Sequence, residues 1–515
     1  MRRSTVFGTL VAKEILETVL DLRFVVATLL CVVLIPLGMY VSREDYEQRL
    51  AAYQREHDTY RQRHGTPEPP VTGQEEAQGF RPPSVLSVFA SGLDPFLPDK
   101  VATSPLGLFR TLKEAGAGNP QSLLFGKADL LFNVTFIVSL VALVFTFNCI
   151  SGERERETLR LMIANAVPRS RILLSKIAGK YIALLIPFLI SILIALLVLG
   201  GSSVVSIGSP QVRLVVLLIL AATLLFLLGM ICLGICISTF TRHSIGSIVL
   251  LFLVWAMFLF GVPKVSPMLA EILYPAESAS VIDFTKRKTR DDIENEFQQI
   301  KKQTIGAKAD KEGAELEKEV IEKSKEIQAR VTASGRTPTR ADYAELNKWF
   351  NERSRAIRAK YEPEDERLTD QCQRRIADEI KRIDQDYRNK KNIQSSAAMN
   401  LARCSPISSY TYVVSGLCGT GVTEPDNFVR NAQRFQDQMA TIFYGDTHSW
   451  FGPRSQASLD AFDPLHPPPF PDMAYQYPTL KEAMQVHWPD MLLLGLFDAL
   501  FFSLAFMTFN KYDVR

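Results

Sequence analysis

Cysteine is scarce, with seven among 515 residues, too few for a disulfide-built scaffold. The six histidines, His57, His64, His243, His448, His466 and His487, show no metal-ligand spacing. No H-E-x-x-H or G-x-S-x-G stretch occurs. The phosphate-cradling G-x-x-x-x-G-K-[ST] loop is missing too, because Gln121 stands where Gly126-Lys127 would need its first glycine. A formal charge of +3 gives no support for nucleic-acid binding. These absences argue against an enzyme, and against a chain that hydrolyses ATP by itself. No metal and no cofactor is expected on it.

Charge is also missing locally. Six apolar runs, at 24–41, 130–150, 181–200, 214–238, 244–262 and 491–509, together make up about a quarter of the chain, and Asp498 is the one charged residue inside them. Each approaches or exceeds the roughly 20 residues that a membrane-crossing helix needs. The remainder is strongly polar. Run 24–41 is long for a signal peptide and has no small-x-small cleavage site after it, so it reads as an uncleaved anchor.

Orientation follows from lysine and arginine near the short links. Arg2, Arg3, Lys13 and Arg23 precede the first run. Arg154, Arg156, Arg160, Arg169, Arg171, Lys176 and Lys180 lie between the second and third, Arg242 follows the fourth, and Lys511 and Arg515 follow the sixth. Residues 202–211, on the opposite side, carry none; Arg213 is the counter-example. Both termini are therefore expected in the cytoplasm. The expected order is an interface helix (1–23), a first span (24–41), an outer segment (42–129), a second span (130–150) and a cytoplasmic link (151–180). Spans at 181–200, 214–238 and 244–262 come next, then an outer domain (263–490), the last span (491–509) and a tail (510–515). The fold class is an all-α membrane protein with six spans and a large, mainly helical extracytoplasmic domain.

Within that domain, residues 285–395 show helical patterns. Leu368, Cys372, Ile376, Ile380, Ile383 and Tyr387 form the clearest stripe. Pro363 is expected to open that helix after a tight reversal. Cys404 and Cys418 bracket a short segment and have two readings, a disulfide or two small buried residues. Asn133, Asn148 and Asp498 are polar at membrane depth. They either join helices by hydrogen bonds or line a substrate path.

The link between the second and third runs reads Ser151-Gly152-Glu153-Arg154-Glu155-Arg156-Glu157-Thr158-Leu159-Arg160-Leu161-Met162-Ile163, with Pro168, Arg171 and Lys176 further on. Physically this is a charged helix over 153–165 with an apolar stripe of Leu159, Met162 and Ile163, then a proline break. Such a stripe is expected to bury against a cytoplasmic partner while the charges set the register. The alternative is an ordinary solvated loop.

This link resembles the E-R-E-x-G-T-L-R-L motif of permease subunits in type-2 ABC exporters. The resemblance falls on Glu153, Arg154, Glu155, Thr158, Leu159, Arg160 and Leu161, and continues to Pro168, Arg171 and Lys176. Glu157 departs from it, standing where the family usually has glycine. Lys13-Glu14-Ile15 with Arg23-Phe24 resembles the family's entry helix, and 509–515 its tail. Similarity to permeases with large outer insertions extends to Pro83-Ser84-Val85-Leu86-Ser87-Val88 and Ser405-Pro406. The resemblance implies that the link is a coupling helix on a separate ABC ATPase carrying ATP and Mg. It also implies a second permease copy or a sister permease, and a place in the bacterial inner membrane. A mechanotransmitter or scaffold acting on an extracytoplasmic protein shares the same membrane features. Proteoliposome transport would separate it from an exporter.

Overall fold

The computed structural model describes residues 2–64, 77–103, 110–112, 127–164, 168–200, 209–335, 337, 339–340, 342–444 and 472–511. Most of the loop 202–211, and the tail beyond 511, lie outside them.

The chain opens with α1 (Arg2–Val19) and α2 (Leu22–His64). The latter continues without a break past the first apolar run, as the spacing of Tyr46, Leu50, Tyr53 and Tyr60 predicts. The second span is not one regular helix. A single turn, α3 (Leu130–Phe132), passes through a π-helical stretch, Asn133–Val138, into α4 (Ser139–Thr146). Then come α5 (Ser151–Glu155), α6 (Thr158–Ala164), α7 (Arg169–Gly200) and α8 (Pro210–Phe240). Helix α9 (Ser244–Ala256) continues through a π-helical turn into α10 (Val262–Leu273). The last helix, α16 (Leu480–Asn510), starts on a capping box in which the Thr479 hydroxyl accepts from the Glu482 amide and the Glu482 carboxylate accepts from the Thr479 amide.

Among the described residues, six helical segments are long and apolar enough to cross a membrane: Leu22–Gln62, Leu130–Glu155, Arg169–Gly200, Pro210–Phe240, Ser244–Leu273 and Leu480–Asn510. The chain is an all-α membrane protein. Helix α8 is its axis, buried along its second half from Phe226 to Thr239 and packed against α4 and α16. Helix α7 packs against α1 and α2. Large apolar side chains on the outer faces, Val25, Leu29, Leu193, Leu197, Val249 and Leu253 among them, remain exposed for lipid to cover.

Two units are distinguishable. The first holds residues up to 270 and those from 397 to 444 and 472 to 511. Besides the spans it contains α14 (Pro406–Leu417), α15 (Glu424–Tyr444) and a small antiparallel sheet that no periodicity announced. Its strands are β1 (Ala77–Phe80), β2 (Lys100–Thr103) and β3 (Arg110–Leu112), in that order. At three or four residues each they are too short to show an alternation. Ala77 and Val101 pack on Phe428, Ala432 and Phe435 of α15, which recur at helical spacing.

The second unit, 271–396, contains α11 (Ala279–Lys301), α12 (Ala307–Ala333) after a π-helical turn, and most of α13 (Ala344–Ala402). Ile293 and Phe297 of α11 pack on Cys372, Ile376 and Ile380 of α13, the stripe visible in the sequence. Pro363 does not open a helix. It lies inside the unbroken 59-residue α13, and just before it the Tyr361 hydroxyl donates to Glu312 of α12 at 2.9 Å. Past the end of α12 the chain adopts a left-handed conformation at Gly335, φ 78°.

The cysteine pairing is corrected as well. Cys404 is an exposed free thiol and Cys418 a buried one. They flank the 12-residue α14, whose length of about 18 Å far exceeds the reach of a disulfide.

A buried charge cluster ties the extension of α2 to the loops above it. The Asp94 carboxylate accepts from Arg81 Nη1 at 2.6 Å and from Arg49 Nη1, while Arg49 Nη2 donates to Ser87 Oγ at 3.0 Å. Burial works to raise the Asp94 pKa. The two guanidinium groups outweigh it and hold the carboxyl below its ordinary value. The pair's contribution to stability is therefore complete above the ordinary aspartate value of about 3.9, and is lost as pH falls through the lower folded value. Asp94→Asn should cost about 3–5 kcal/mol, because Arg81 stays buried without its counter-charge. A clearly lower Tm of the purified chain near neutral pH is the expected readout, together with loss of this acid-dependent step.

Candidate functional site

Helix α4 ends at Thr146 and the chain turns into the charged link. The turn is fixed from α8, where the Ser238 hydroxyl accepts from the amides of Ile150 (3.0 Å) and Ser151 (3.1 Å). That satisfies donors a short helix start would otherwise leave open. Each of the next three charged side chains then goes to a different helix.

Arg154 donates to the carbonyls of Thr241 (2.8 Å) and Thr239 (3.3 Å), at the end of α8. Glu155 accepts from the Ser244 amide (3.0 Å) and hydroxyl (2.7 Å), which caps the start of α9. Glu153 reaches Lys176 Nζ of α7 at 2.6 Å, and Lys176 donates also to Glu14 Oε1 of α1 at 2.8 Å. Lys176 is only 1% exposed and Glu14 4%. One turn further on, Lys180 donates to Thr18 Oγ1 at 3.0 Å. Burial tends to raise the Glu14 pKa, but Lys176, with Lys180 and Lys13, outweighs it and holds the carboxyl below its ordinary value. The close approach of α1 to α7 requires Gly179, where any Cβ would collide with the Glu14 side chain.

Beside this ladder lies a cavity of about 230 Å³, lined by Lys13, Glu17, Asn148, Glu153, Arg156 and Thr158 among others. One carboxylate oxygen of Glu153 is buried without a hydrogen-bond partner.

The single helix expected over 153–165 is in fact two. Arg156 ends α5, and Glu157 takes a left-handed backbone conformation, φ 58°, before Thr158 opens α6. Glu157 is the one non-glycine residue with positive φ among the described residues. The preference for glycine at this point of the motif thus has a local cause, since a side chain there costs about 1–2 kcal/mol. Leu159 also departs from expectation. It is fully buried in this chain's own core, with Met162 partly buried beside it. The side chains of Leu161 and Ile163 lie outside the described residues. Among the described side chains of 151–168, the exposed ones are Glu155, Arg156, Glu157, Thr158, Arg160 and Pro168. Arg171 is half-buried and its amide bonds to the Pro168 carbonyl at 2.9 Å.

The three intramembrane polar candidates are not brought together. Asn133 donates to its own helix's Asp129 carbonyl at 2.9 Å. Asn148 lies 15 residues further along that span, beside the cavity. Asp498 lies against Gly229 of α8, with one oxygen buried and unpartnered.

The site residues that sequence reasoning passed over are Glu14, Thr18, Lys180, Ser238 and Ser244. One signal was available: Glu14 and Thr18 on α1 share the four-residue spacing of Lys176 and Lys180 on α7, so two facing helices carry matching polar ladders.

The motif residues, the entry helix and the last span thus belong to one assembly. The family model described as "ABC-2 family transporter protein" matches residues 9–514. The chain belongs to the ABC-2 transporter family. Individual curated proteins give no match. In this ABC-2 membrane protein the match takes in both the spans and the polar units between them, so the domain 271–396 lies inside the family match.

Two substitutions test the site. Lys176→Met removes the cation shared by buried Glu14 and half-buried Glu153, leaving Glu14 only Lys180 at 4.0 Å, and should cost about 3–5 kcal/mol, read as a lower Tm in detergent. Glu157→Gly should instead raise the Tm, by relieving about 1–2 kcal/mol of backbone strain.

Proposed function

We propose that this ABC-2 chain is the membrane-spanning subunit of an ATP-driven exporter, coupled through residues 151–168 to a separate ATPase chain that holds ATP and Mg. One observation carries this reading. Glu153, Arg154 and Glu155 commit the link to α1, α7, α8 and α9 at once, while Arg156, Glu157, Thr158 and Arg160 stay exposed on it. A partner that pushes this segment therefore moves four helix ends together.

On periodicity alone the docking role falls to the apolar stripe. Because Leu159 is used internally, the docking face is assigned to the exposed charged residues, with Leu159 as the anchor beneath them. Charges suit this role because they fix register and orientation. The lysine and arginine bias favours a cytoplasmic position for this link and both termini, with residues 271–396 on the opposite side of a bacterial inner membrane. Functional symmetry calls for two permease subunits, either two copies or this chain with a sister, each presenting one link to one ATPase.

The chain purified from its native membrane should carry an ABC ATPase. Arg156→Glu combined with Arg160→Glu should insert normally yet recover at least about tenfold less ATPase, a loss of roughly 1.4 kcal/mol, and should lose stimulated ATP hydrolysis. Leu159→Asp should fail at an earlier step, as a folding defect. Wild-type chain without an ATPase, or a double variant that retains it fully, would overturn the proposal.

A further inference from the structure

The span formed by α9, its π-helical turn and α10 runs 30 residues, Ser244–Leu273. At 1.5 Å per residue that is about 45 Å, or about 42 Å at an ordinary tilt of 20°. The hydrocarbon core is about 30 Å thick, and the bilayer with its headgroups about 40–45 Å. A helix that enters at one face thus ends at the headgroups of the other.

The chain at and beyond the end of α10 is not suited to water alone. Ile272, Leu273, Tyr274 and Phe284 are 75%, 61%, 48% and 64% exposed, and Ile393 is 53% exposed. These positions are structurally joined: Gln394 Nε2 donates to the Tyr274 carbonyl at 3.0 Å, and Lys286 Nζ lies 2.5 Å from Asp384. Exposed Arg287, Lys288 and Arg388 lie on the same two helices, close to the apolar group in sequence, while Lys390 lies 3.5 Å from Glu277. Residues 271–290 contain four basic residues, all within 286–290, and three acidic ones, Glu271, Glu277 and Asp283. Scattered exposed apolar residues need no explanation, but a joined group edged by cations does. Apolar and aromatic side chains beside lysine and arginine are the composition of a surface that lies in a membrane interface.

We propose that the first turns of α11 and the facing stretch of α13 form a collar that seats on anionic phospholipid headgroups of the leaflet from which α10 emerges. Its aliphatic and aromatic side chains enter the headgroup–acyl boundary, and its guanidinium and ammonium groups meet the phosphates. Each basic residue near an anionic surface adds about fivefold to its association. The inference depends on α9–α10 crossing the membrane and not on export or on an ATPase, so it stands or falls separately from the proposed function.

The test uses the full chain in lipid nanodiscs of phosphatidylcholine, with or without phosphatidylglycerol. Cys404 is the one exposed native thiol among the described residues, so Cys404→Ser provides the background for an environment-sensitive fluorophore at Phe284→Cys or, as a second site, Ile393→Cys. A control label goes on Ile321→Cys of α12. The collar labels should shift to the blue and be quenched by lipids spin-labelled near the headgroup, more strongly with phosphatidylglycerol. The control should stay water-like. Arg287→Glu with Lys288→Glu should remove the phosphatidylglycerol-dependent part. Water-like emission at both collar sites, equal quenching in both membranes, or self-quenching between copies in place of quenching by lipid would each overturn the proposal.

Discussion

An ammonium group that is 1% exposed has to be neutralised where it lies, and Lys176 is neutralised by two carboxylates from two different elements. Removing such a cation from water costs several kcal/mol, and the cost is recovered only when partners are held at good distance. That requirement sets the geometry around it. Helix α1 must lie close enough to α7 for Glu14 to reach in, which Gly179 permits. The link must turn back directly after α4 so that Glu153 meets the same nitrogen. Asn148 and Gly152 line the cavity beside that turn.

The same device appears at the sheet-bearing end of the first unit, where Asp94 is the buried charge and two arginines are its partners. In both places one central group is shared by two elements distant in sequence. A shared charge tolerates the loss of neither arm, because the remaining one no longer compensates the burial. These triplets therefore fix relative positions where apolar packing alone, being non-directional, would let helices slide.

The spans were legible because apolar length is a property of contiguous residues, and Asp498 stood out for the same reason. The stripe from Cys372 to Ile380 was legible through its period. Features that depended on partners far away in sequence were not. The matching spacing of Glu14 and Thr18 with Lys176 and Lys180 hints at a pairing but does not say which helix faces which, and nothing local marks Leu159 as an inward residue instead of a docking one. The amphipathic period of the link is real, but a period says only that one face is buried, not by whom. Pro363 misled because a proline can also sit inside a long helix, at the cost of one backbone hydrogen bond, as it does in α13. The π-helical stretches and the three short strands leave no period of their own. Glu157 is the instructive exception, since a departure from a motif marked the one non-glycine position of positive φ among the described residues.

Under the proposed coupling, the contacts of the link are not equal, and the difference has mechanical meaning. Lys176 with Glu14 and Glu153 is buried, so its attraction is little screened. Arg154 adds two bonds to backbone carbonyls at the end of α8, which the backbone itself holds in place. Glu155 grips Ser244 at an exposed site, where water competes and salt screens. A push on Arg156 or Arg160 would thus be transmitted stiffly to α1, α7 and α8, and softly to α9. Helix α9, whose hold on the link is the exposed one, would be the element that follows the push least directly. On that proposal, the charge pattern of the link would divide the bundle into a part that follows the partner and a part that yields, and that inequality would turn a push at one membrane face into a relative movement of helices.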